Sequence, residues 1–475
     1  MTASKYRLAG AAWLAMTLTT ALPGVAQAQG THEEIVAATE YRQETLARTI
    51  GSLAYIYAYP MVDYERLMYL QTNPGLDPTG AYAPVNRFYS VGKLTVPGGP
   101  FGGRSPNSDT LYFQAWYDVS GGPAIIDAPD TKGRYYNLDY VNFFSETDAH
   151  TGSRTTGDKA QQVYLVGPTW KGTVPAGMTL VRMKTDRGLV FGRVLVKGAQ
   201  ELKLVNDLVN AFRMTEAPGT PTPAKPTPVA ADVLGDIDFF VLANRYLKSA
   251  APIEGEQALM DQFDMIGIGP KSTFDPAKIT PATRRGLEAA IAETRKAVEQ
   301  ARMWDLRGWA PVKTKIGVYG TDYFQRAAIE YSGLLANAPE EAVYPRYRSD
   351  LAGNPLNGNK RYRLVVPKDM PVDAFWSLTS YGGATRDLIP NPAGVYSVGD
   401  RDPKLIKRQK DGSAVILIQA DQPKDRSANW LPVKRESFYL IMRLYRPRPE
   451  AFAPGYKLPE IEVCDESGAC AVPEA

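Results

Sequence analysis

Leu111-Tyr112-Phe113-Gln114-Ala115-Trp116-Tyr117-Asp118 changes character at every second position. A period of two belongs to a strand, whose successive side chains point to opposite faces. Residues 134–144 and 190–196 carry the same alternation. Pro97-Gly98-Gly99-Pro100 and Gly121-Gly122-Pro123 supply turns around them. Short strands separated by such turns predict an antiparallel sandwich or jelly roll.

Outward from this core the period changes. Toward the N-terminus, His32 to Gln71 is helix-forming, with a stripe of Ile35, Ala38, Leu46, Ile50 and Leu53. Tyr55, Tyr57 and Tyr59 then alternate, and Pro60 reads as an interruption. Toward the C-terminus, 198–214 returns to a helical period through Leu202, Val205, Leu208, Val209 and Phe212. Pro218, Pro221, Pro223, Pro226 and Pro228 make a stiff, extended connector and mark a boundary. In 231–340, Thr280-Pro281 reads as an N-cap followed by proline at the first helical position. Leu287, Ala290, Ile291, Val298 and Ala301 follow as its stripe. Thr321-Asp322 can cap a further helix carrying Phe324, Ala327, Ala328 and Leu334. The period of two resumes at 362–366, 374–381, 395–398, 414–419 and 438–445, with Asp411-Gly412 as a turn signal.

The expected fold is α+β, mainly β: two antiparallel β-sandwich or jelly-roll domains, a helical N-terminal segment, and a helical region between them. The expected divisions are 29–217 for the first, 218–230 for the connector, 231–340 for the helical region and 341–463 for the second sandwich. Residues 464–475 form a tail.

Residues 1–28 read as a secretory signal peptide. Lys5 and Arg7 form a basic start, Leu8 through Leu22 is apolar, and Ala26-Gln27-Ala28 is a small-x-small cleavage site. The apolar run is shorter than the ~20 residues a membrane span needs. No cysteine follows the cleavage site, which argues against a lipid anchor. The expected destination is the periplasm or the medium.

The 475 residues include 44% hydrophobic and 22% charged side chains, the balance of a globular protein with a full core. Lys+Arg number 54 and Asp+Glu 51, so no charge excess points to nucleic acid or an anionic membrane. Two His and two Cys leave an all-protein zinc or iron–sulfur site close to excluded. Cys464 and Cys470 flank a short loop containing Gly468, and an oxidising compartment permits a disulfide there. So small a loop would tie down a tail rather than hold the fold.

Two sets of motifs look familiar. The first half carries Ser105-Pro106-Asn107-Ser108-Asp109-Thr110-Leu111-Tyr112, then Arg134-Tyr135-Tyr136, Gly152-Ser153-Arg154-Thr155-Thr156-Gly157 and Val166-Gly167-Pro168-Thr169-Trp170-Lys171-Gly172. The second half carries Leu356-Asn357-Gly358 and Pro371-Val372-Asp373-Ala374-Phe375-Trp376-Ser377-Leu378-Thr379-Ser380-Tyr381. Asp411-Gly412-Ser413, Asn429-Trp430-Leu431-Pro432 and Arg443-Leu444-Tyr445-Arg446-Pro447 follow. Together they resemble the bacterial exported family that joins two domains of unknown function, numbered 1254 in the first half and 1214 in the second. The resemblance implies two β-sandwich or jelly-roll domains with helices between and around them. It implies no activity.

No Gly-x-Ser-x-Gly elbow is present. A serine triad would have to use His150, in Glu146-Thr147-Asp148-Ala149-His150-Thr151, as its base. A surface histidine in a polar loop is the blander alternative. Ser90-Val91-Gly92-Lys93 lacks the helix turn a Ser-Lys pair needs. Asp109 and Asp139 are the better-supplied option, as acid and base facing one cavity. Arg104, Arg134 and Arg154 could hold an anionic group bidentately. The structural alternative makes these residues buried ion pairs and turn caps.

Aromatic residues offer a binding platform, since Tyr112, Trp116, Tyr135, Tyr136, Tyr140, Trp376 and Tyr381 sit in or beside the motifs. On strands about half of them must be core. The glycine-rich run 98–103 lacks the Gly-Lys-Ser/Thr of a phosphate loop. Gly267-Ile268-Gly269-Pro270 lacks a dinucleotide fingerprint, and no EF-hand spacing is present.

The functional expectation is a periplasmic hydrolase or binder of a small hydroxylated or ester-bearing ligand. Asp109, Asp139 and His150 are its candidate catalytic residues. Asn107, Tyr112, Arg154, Trp376 and Asn429 are its candidate binding residues. No metal, cofactor, nucleic acid or membrane span is expected after leader removal, and self-association stays open. The alternative is a non-enzymatic structural or assembly protein of the cell envelope.

Overall fold

The computed structural model describes residues 31–99, 102–249, 255–301, 307–333, 335–402 and 404–473. The predicted leader 1–28 lies outside them, as do Pro100, Phe101 and Leu334. In the first half the elements are α1 (His32–Gln71), β1 (Tyr89–Ser90), β2 (Thr110–Asp118), β3 (Ala124–Ala128), β4 (Tyr136–Asn142) and β5 (Thr147–Gly152). Then come β6 (Gln161–Val166), β7 (Met178–Arg182), β8 (Arg187–Leu195), α2 (Leu202–Val209) and β9 (Arg213–Glu216). A helical stretch follows with α3 (Asp238–Ser249), α4 (Gln257–Met265), α5 (Pro281–Gln300) and α6 (Tyr323–Gly333). The second half holds β10 (Ala342–Val343), β11 (Arg346–Tyr347), β12 (Arg361–Val366), β13 (Val372–Gly382) and β14 (Ser397–Gly399). It ends with β15 (Ala414–Gln419), β16 (Asn429–Pro432), β17 (Phe438–Pro447), β18 (Ile461–Cys464) and β19 (Cys470–Ala471).

These strands form two sandwiches in a mainly β chain with an N-terminal helix. In the first, a sheet of order β1-β2-β8-β4-β5 faces one of order β7-β6-β3-β9. Leu111, Phe113, Ala115 and Tyr117 of β2 pack with Leu138 and Tyr140 against Ile126, Val163 and Leu165. In the second, the sheet β10-β17-β13-β14, with β11 also paired to β17, faces the sheet β16-β15-β12-β18-β19. Trp376, Leu378, Leu440, Met442 and Leu444 pack there against Leu364, Val366, Ile416 and Ile418. Strand pairs are antiparallel apart from β6–β7 and β15–β16.

The inner sheets are buried on both faces. The second face of β2 carries Tyr112, Gln114 and Trp116, and Trp116 Nε1 donates to Gln71 of α1 at 2.8 Å. The second face of β13 and β17 carries Ser377, Thr379, Tyr381, Tyr439, Ile441, Arg443 and Tyr445, all buried. These faces meet across the sandwiches. Tyr381 Oη donates to the Pro106 carbonyl at 2.6 Å, and Arg443 donates to the Ser105 carbonyl at 2.7 Å.

The helices depart from the sequence pattern in three places. First, α1 runs straight through Pro60. A proline inside a helix costs roughly 3 kcal/mol. Here 57–65 is buried at every position, so packing on all sides outweighs that cost. Second, Ile35, Leu46 and Leu53 of the predicted stripe are 54%, 40% and 37% exposed. Of that stripe Ile50 is buried, and the closest approach of the helices falls at glycines: Gly51 of α1 meets Leu287 and Ala290 of α5, and Gly286 of α5 meets the Glu44 carbonyl. Third, the helix expected over 198–214 stops at Val209, and Arg213–Glu216 becomes β9. Met214 pairs with Ile126, so the open edge of β3 recruits this segment against its local period.

Helix starts agree with their caps. Thr280 Oγ1 accepts from Thr283 N at 3.1 Å, with Pro281 next in line. Asp322 accepts from Gln325 N at 2.9 Å. The region 307–322 between α5 and α6 is not helical. Trp309 instead bridges to Tyr347 of the second sandwich. The proline-rich 218–230 has no regular structure.

Candidate functional site

Local sequence shapes the loop at the seam. Asn107 Oδ1 accepts from Asp109 N at 3.0 Å and Thr110 N at 3.1 Å, an Asx turn that starts β2. Asn107 therefore makes the cap that a structural reading assigns to Asp109. Its Nδ2 donates to Tyr445 Oη at 2.9 Å, and its backbone N–H to Tyr112 Oη at 3.0 Å.

Beside this loop lies a cavity of about 300 Å³. Tyr112, Phe191 and Arg193 close it from the first sandwich, and Tyr344, Arg346, Arg348, Ile441 and Arg443 from the second. Ala328, Ile329 and Ser332 of α6 and residues Ala310, Lys313 and Ile316 complete the wall. Its rim includes Pro311, Asp322 and Phe324, all exposed.

Of the sequence-predicted site residues, Asn107, Tyr112 and Arg104 border this cavity. The carboxylates do not. Asp109 is fully buried and accepts from Ser377 Oγ at 2.6 Å, Ser397 Oγ at 2.7 Å and Arg401 at 2.5 Å. Asp139 accepts from His150 Nδ1 and Asn137 Nδ2, both at 2.8 Å, and pairs with Arg193. Burial raises the Asp139 carboxyl, but Arg193 and His150 outweigh it and hold the group below its ordinary value. Arg154 donates to Glu341 at 2.7 Å, and Tyr135 Oη donates to the other Glu341 oxygen at 2.7 Å. These three motif charges thus occupy three separate pairs, with the carboxylate buried in each.

Trp376 and Asn429 lie inside the second sandwich. Trp376 is fully buried in its core, while its neighbour Phe375 stacks on Tyr445 at the seam, 4.1 Å between centroids. Asn429 binds the Lys407 N–H and carbonyl, both at 2.8 Å, and the Val415 carbonyl at 2.9 Å. Cys464 and Cys470 form a disulfide that closes the β18–β19 hairpin.

A second buried cluster adjoins the cavity behind α6. Glu330 Oε2 accepts from Ser145 Oγ at 2.7 Å. Arg104 lies 3.6 Å from Asp63, and Arg66 lies 2.5 Å from it. Burial, with Asp63 adding to it, pushes the Glu330 carboxyl up to about 8. Ser145 takes a positive φ of 60°, which the tight β4–β5 turn requires.

The cationic wall is what sequence reasoning missed. Burial lowers the Arg346 guanidinium, Tyr439 raises it, and the like charges of Arg348 and Arg443 press it further down. Burial also lowers Arg348 and Arg443, but Tyr381, Tyr445, Tyr112 and Asp109 hold Arg443 above its ordinary value. Arg443 was visible as a charged residue inside an apolar alternating strand, and Arg346-Tyr347-Arg348 as two charges at strand spacing. Neither pattern tells which face meets a cavity.

Two family models match the chain: protein of unknown function (DUF1254) over residues 85–216 and protein of unknown function (DUF1214) over 341–449. The crystal structure of the VPA0106 protein from Vibrio parahaemolyticus is similar, with 24% identity and a TM-score of 0.67. The match covers 88% of this chain and 100% of that one, and it shows the fold alone. An uncharacterized protein from Burkholderia cenocepacia matches at 10% identity and a TM-score of 0.46, over 92% of this chain and 99% of that one. No curated protein matches the chain.

Proposed function

The chain belongs to the family that joins the unknown-function domains DUF1254 and DUF1214, and from that premise we propose that it binds a small organic ligand between its two sandwiches. The carrying observation is the cavity of about 300 Å³ at the seam. Ligand sites of this size favour domain interfaces and mix an apolar wall with a few convergent polar groups. Here Ile316, Ile329 and Ile441 supply the apolar part, and Asn107, Tyr112 and Tyr344 supply groups suited to a hydroxylated or ester-bearing ligand.

Hydrolysis is the second reading. Asp139 orients His150 through Nδ1, as a general base requires, but neither residue borders the cavity. The envelope-assembly alternative draws support from the pairs of Asp109, Asp139 and Arg154, which serve as seam fastenings in any of these readings. Action in the periplasm or medium is part of the proposal. Its support is the leader pattern and the Cys464–Cys470 disulfide.

The test is a thermal-shift screen of the mature protein against small acids, alcohols, esters, glycosides and lactones, repeated on Ala328→Trp. The indole would occupy the cavity from α6. A ligand that raises the wild-type melting temperature and leaves a folded Ala328→Trp unmoved supports binding at this cavity. Equal shifts in both proteins would place the site elsewhere.

A further inference from the structure

Arginines at the seam normally find an acid. Arg193 has Asp139, Arg154 has Glu341, Arg401 has Asp109, and Arg104 has Asp63. Even the fully buried Arg326 lies 4.0 Å from Glu146. Arg346, Arg348 and Arg443 differ. Among the described residues no carboxylate lies within ion-pair distance of any of the three. Arg443 spends two donors on Thr379 Oγ1 and the Ser105 carbonyl, both neutral. Arg348 stands 4.4 Å over the Tyr439 ring.

Their placement is shared. Arg346 and Arg348 are two apart, so they project from the same face of one extended segment. Arg346 pairs with Ile441, and Arg443 is two residues further along that strand on the same face. All three line the cavity, and Lys313 lines it as well. Asp322 is the only acid on that wall among the described residues, and it sits exposed at the rim. Among the described residues these three arginines, Arg443 buried and Arg346 and Arg348 half-buried, have no acidic partner, and a bound anion offsets the desolvation cost of such a cluster. The planar forks of arginine suit an oxyanion in particular. Burial lowers the Arg346 guanidinium, and the charges of Arg348 and Arg443 add to that, which reflects the same crowding.

We infer that the cavity takes an amphipathic organic acid. Its oxyanion head, a carboxylate, sits against Arg346, Arg348 and Arg443, and its apolar body runs along Ile316, Phe324 and Ile329. This deepens the small-ligand reading and rests on it.

Calorimetry with octanoate, octanol and inorganic phosphate tests the inference. The folded wild type is expected to bind octanoate about tenfold or more tightly than octanol, the worth of one charge-assisted contact. Arg346→Gln combined with Arg348→Gln should abolish that preference and leave octanol binding in place. Arg346→Lys combined with Arg348→Lys, which keeps the charge should the first pair fail to fold, should retain most of it. Equal binding of octanoate and octanol overturns the anion assignment while the cavity reading survives. Phosphate binding as tightly as octanoate overturns the amphipathic part. No binding of any probe, together with no cavity-dependent shift in the ligand screen, overturns both.

Discussion

Asp109 of the first sandwich accepts a hydrogen bond from Arg401 of the second at 2.5 Å, across 292 residues of chain. The same carboxylate also takes the hydroxyls of Ser377 and Ser397. Three side chains of the second sandwich thus converge on this one carboxylate, which makes Asp109 a fastening between sandwiches.

Asp109→Ala should therefore destabilise strongly, because it leaves Arg401 and two serines without their partner. Removing one member of a buried pair costs about 3–5 kcal/mol. Urea unfolding of the variant should show this loss, and the two sandwiches should begin to unfold in separate steps. A variant within about 0.5 kcal/mol of wild type, the range of ordinary surface changes, would refute the fastening role.

Ser145 gives a prediction in which glycine beats alanine. Its φ of 60° favours glycine, while its hydroxyl serves Glu330. Ser145→Ala should lose the buried hydrogen bond, about 1–3 kcal/mol, and keep the strained backbone. Ser145→Gly should lose the same bond but recover roughly 1 kcal/mol from the relaxed turn. Chemical denaturation should rank wild type, Gly, Ala in falling stability.

Glu330 sets a pH dependence. Its folded-state carboxyl lies near 8 against an ordinary 4.5. Between those values the folded protein holds a proton that the unfolded chain releases. Its contribution to stability is therefore greatest at low pH and declines as pH rises from about 4.5 to about 8. Glu330→Gln should flatten the profile across that window. Unfolding curves at several pH values check it, and an unchanged slope would contradict the assignment.

The disulfide is expected to act locally. Cys464→Ser with Cys470→Ser frees the two-residue β19, at the edge of its sheet. Limited proteolysis should cut the tail faster, while the main unfolding midpoint moves by no more than the ~2 kcal/mol that closing so short a loop is worth. A collapse of the main transition would show that the hairpin supports the second sandwich.

The legible parts of the molecule are those governed by local chemistry. The alternation at 111–118 became β2, and Thr280-Pro281 opens α5. Pro60 misled because propensity is a weak term, and packing along 57–65 overrode it. The candidate site was half legible. Asn107 and Tyr112 border the cavity, but Asp109, Asp139 and Arg154 turned to partners 292, 54 and 187 residues away, which no local pattern announces.

From its residue order the chain determined the strand and helix periods, the two-sandwich plan and the family motifs. These depend on neighbours within a few residues. The tertiary structure decided which face of each inner strand became core and which became seam, because both faces are buried and a period of two treats them alike. It also decided that three arginines would crowd one cavity with no described carboxylate within ion-pair distance of them, since that depends on where β11 and β17 meet the first sandwich in space.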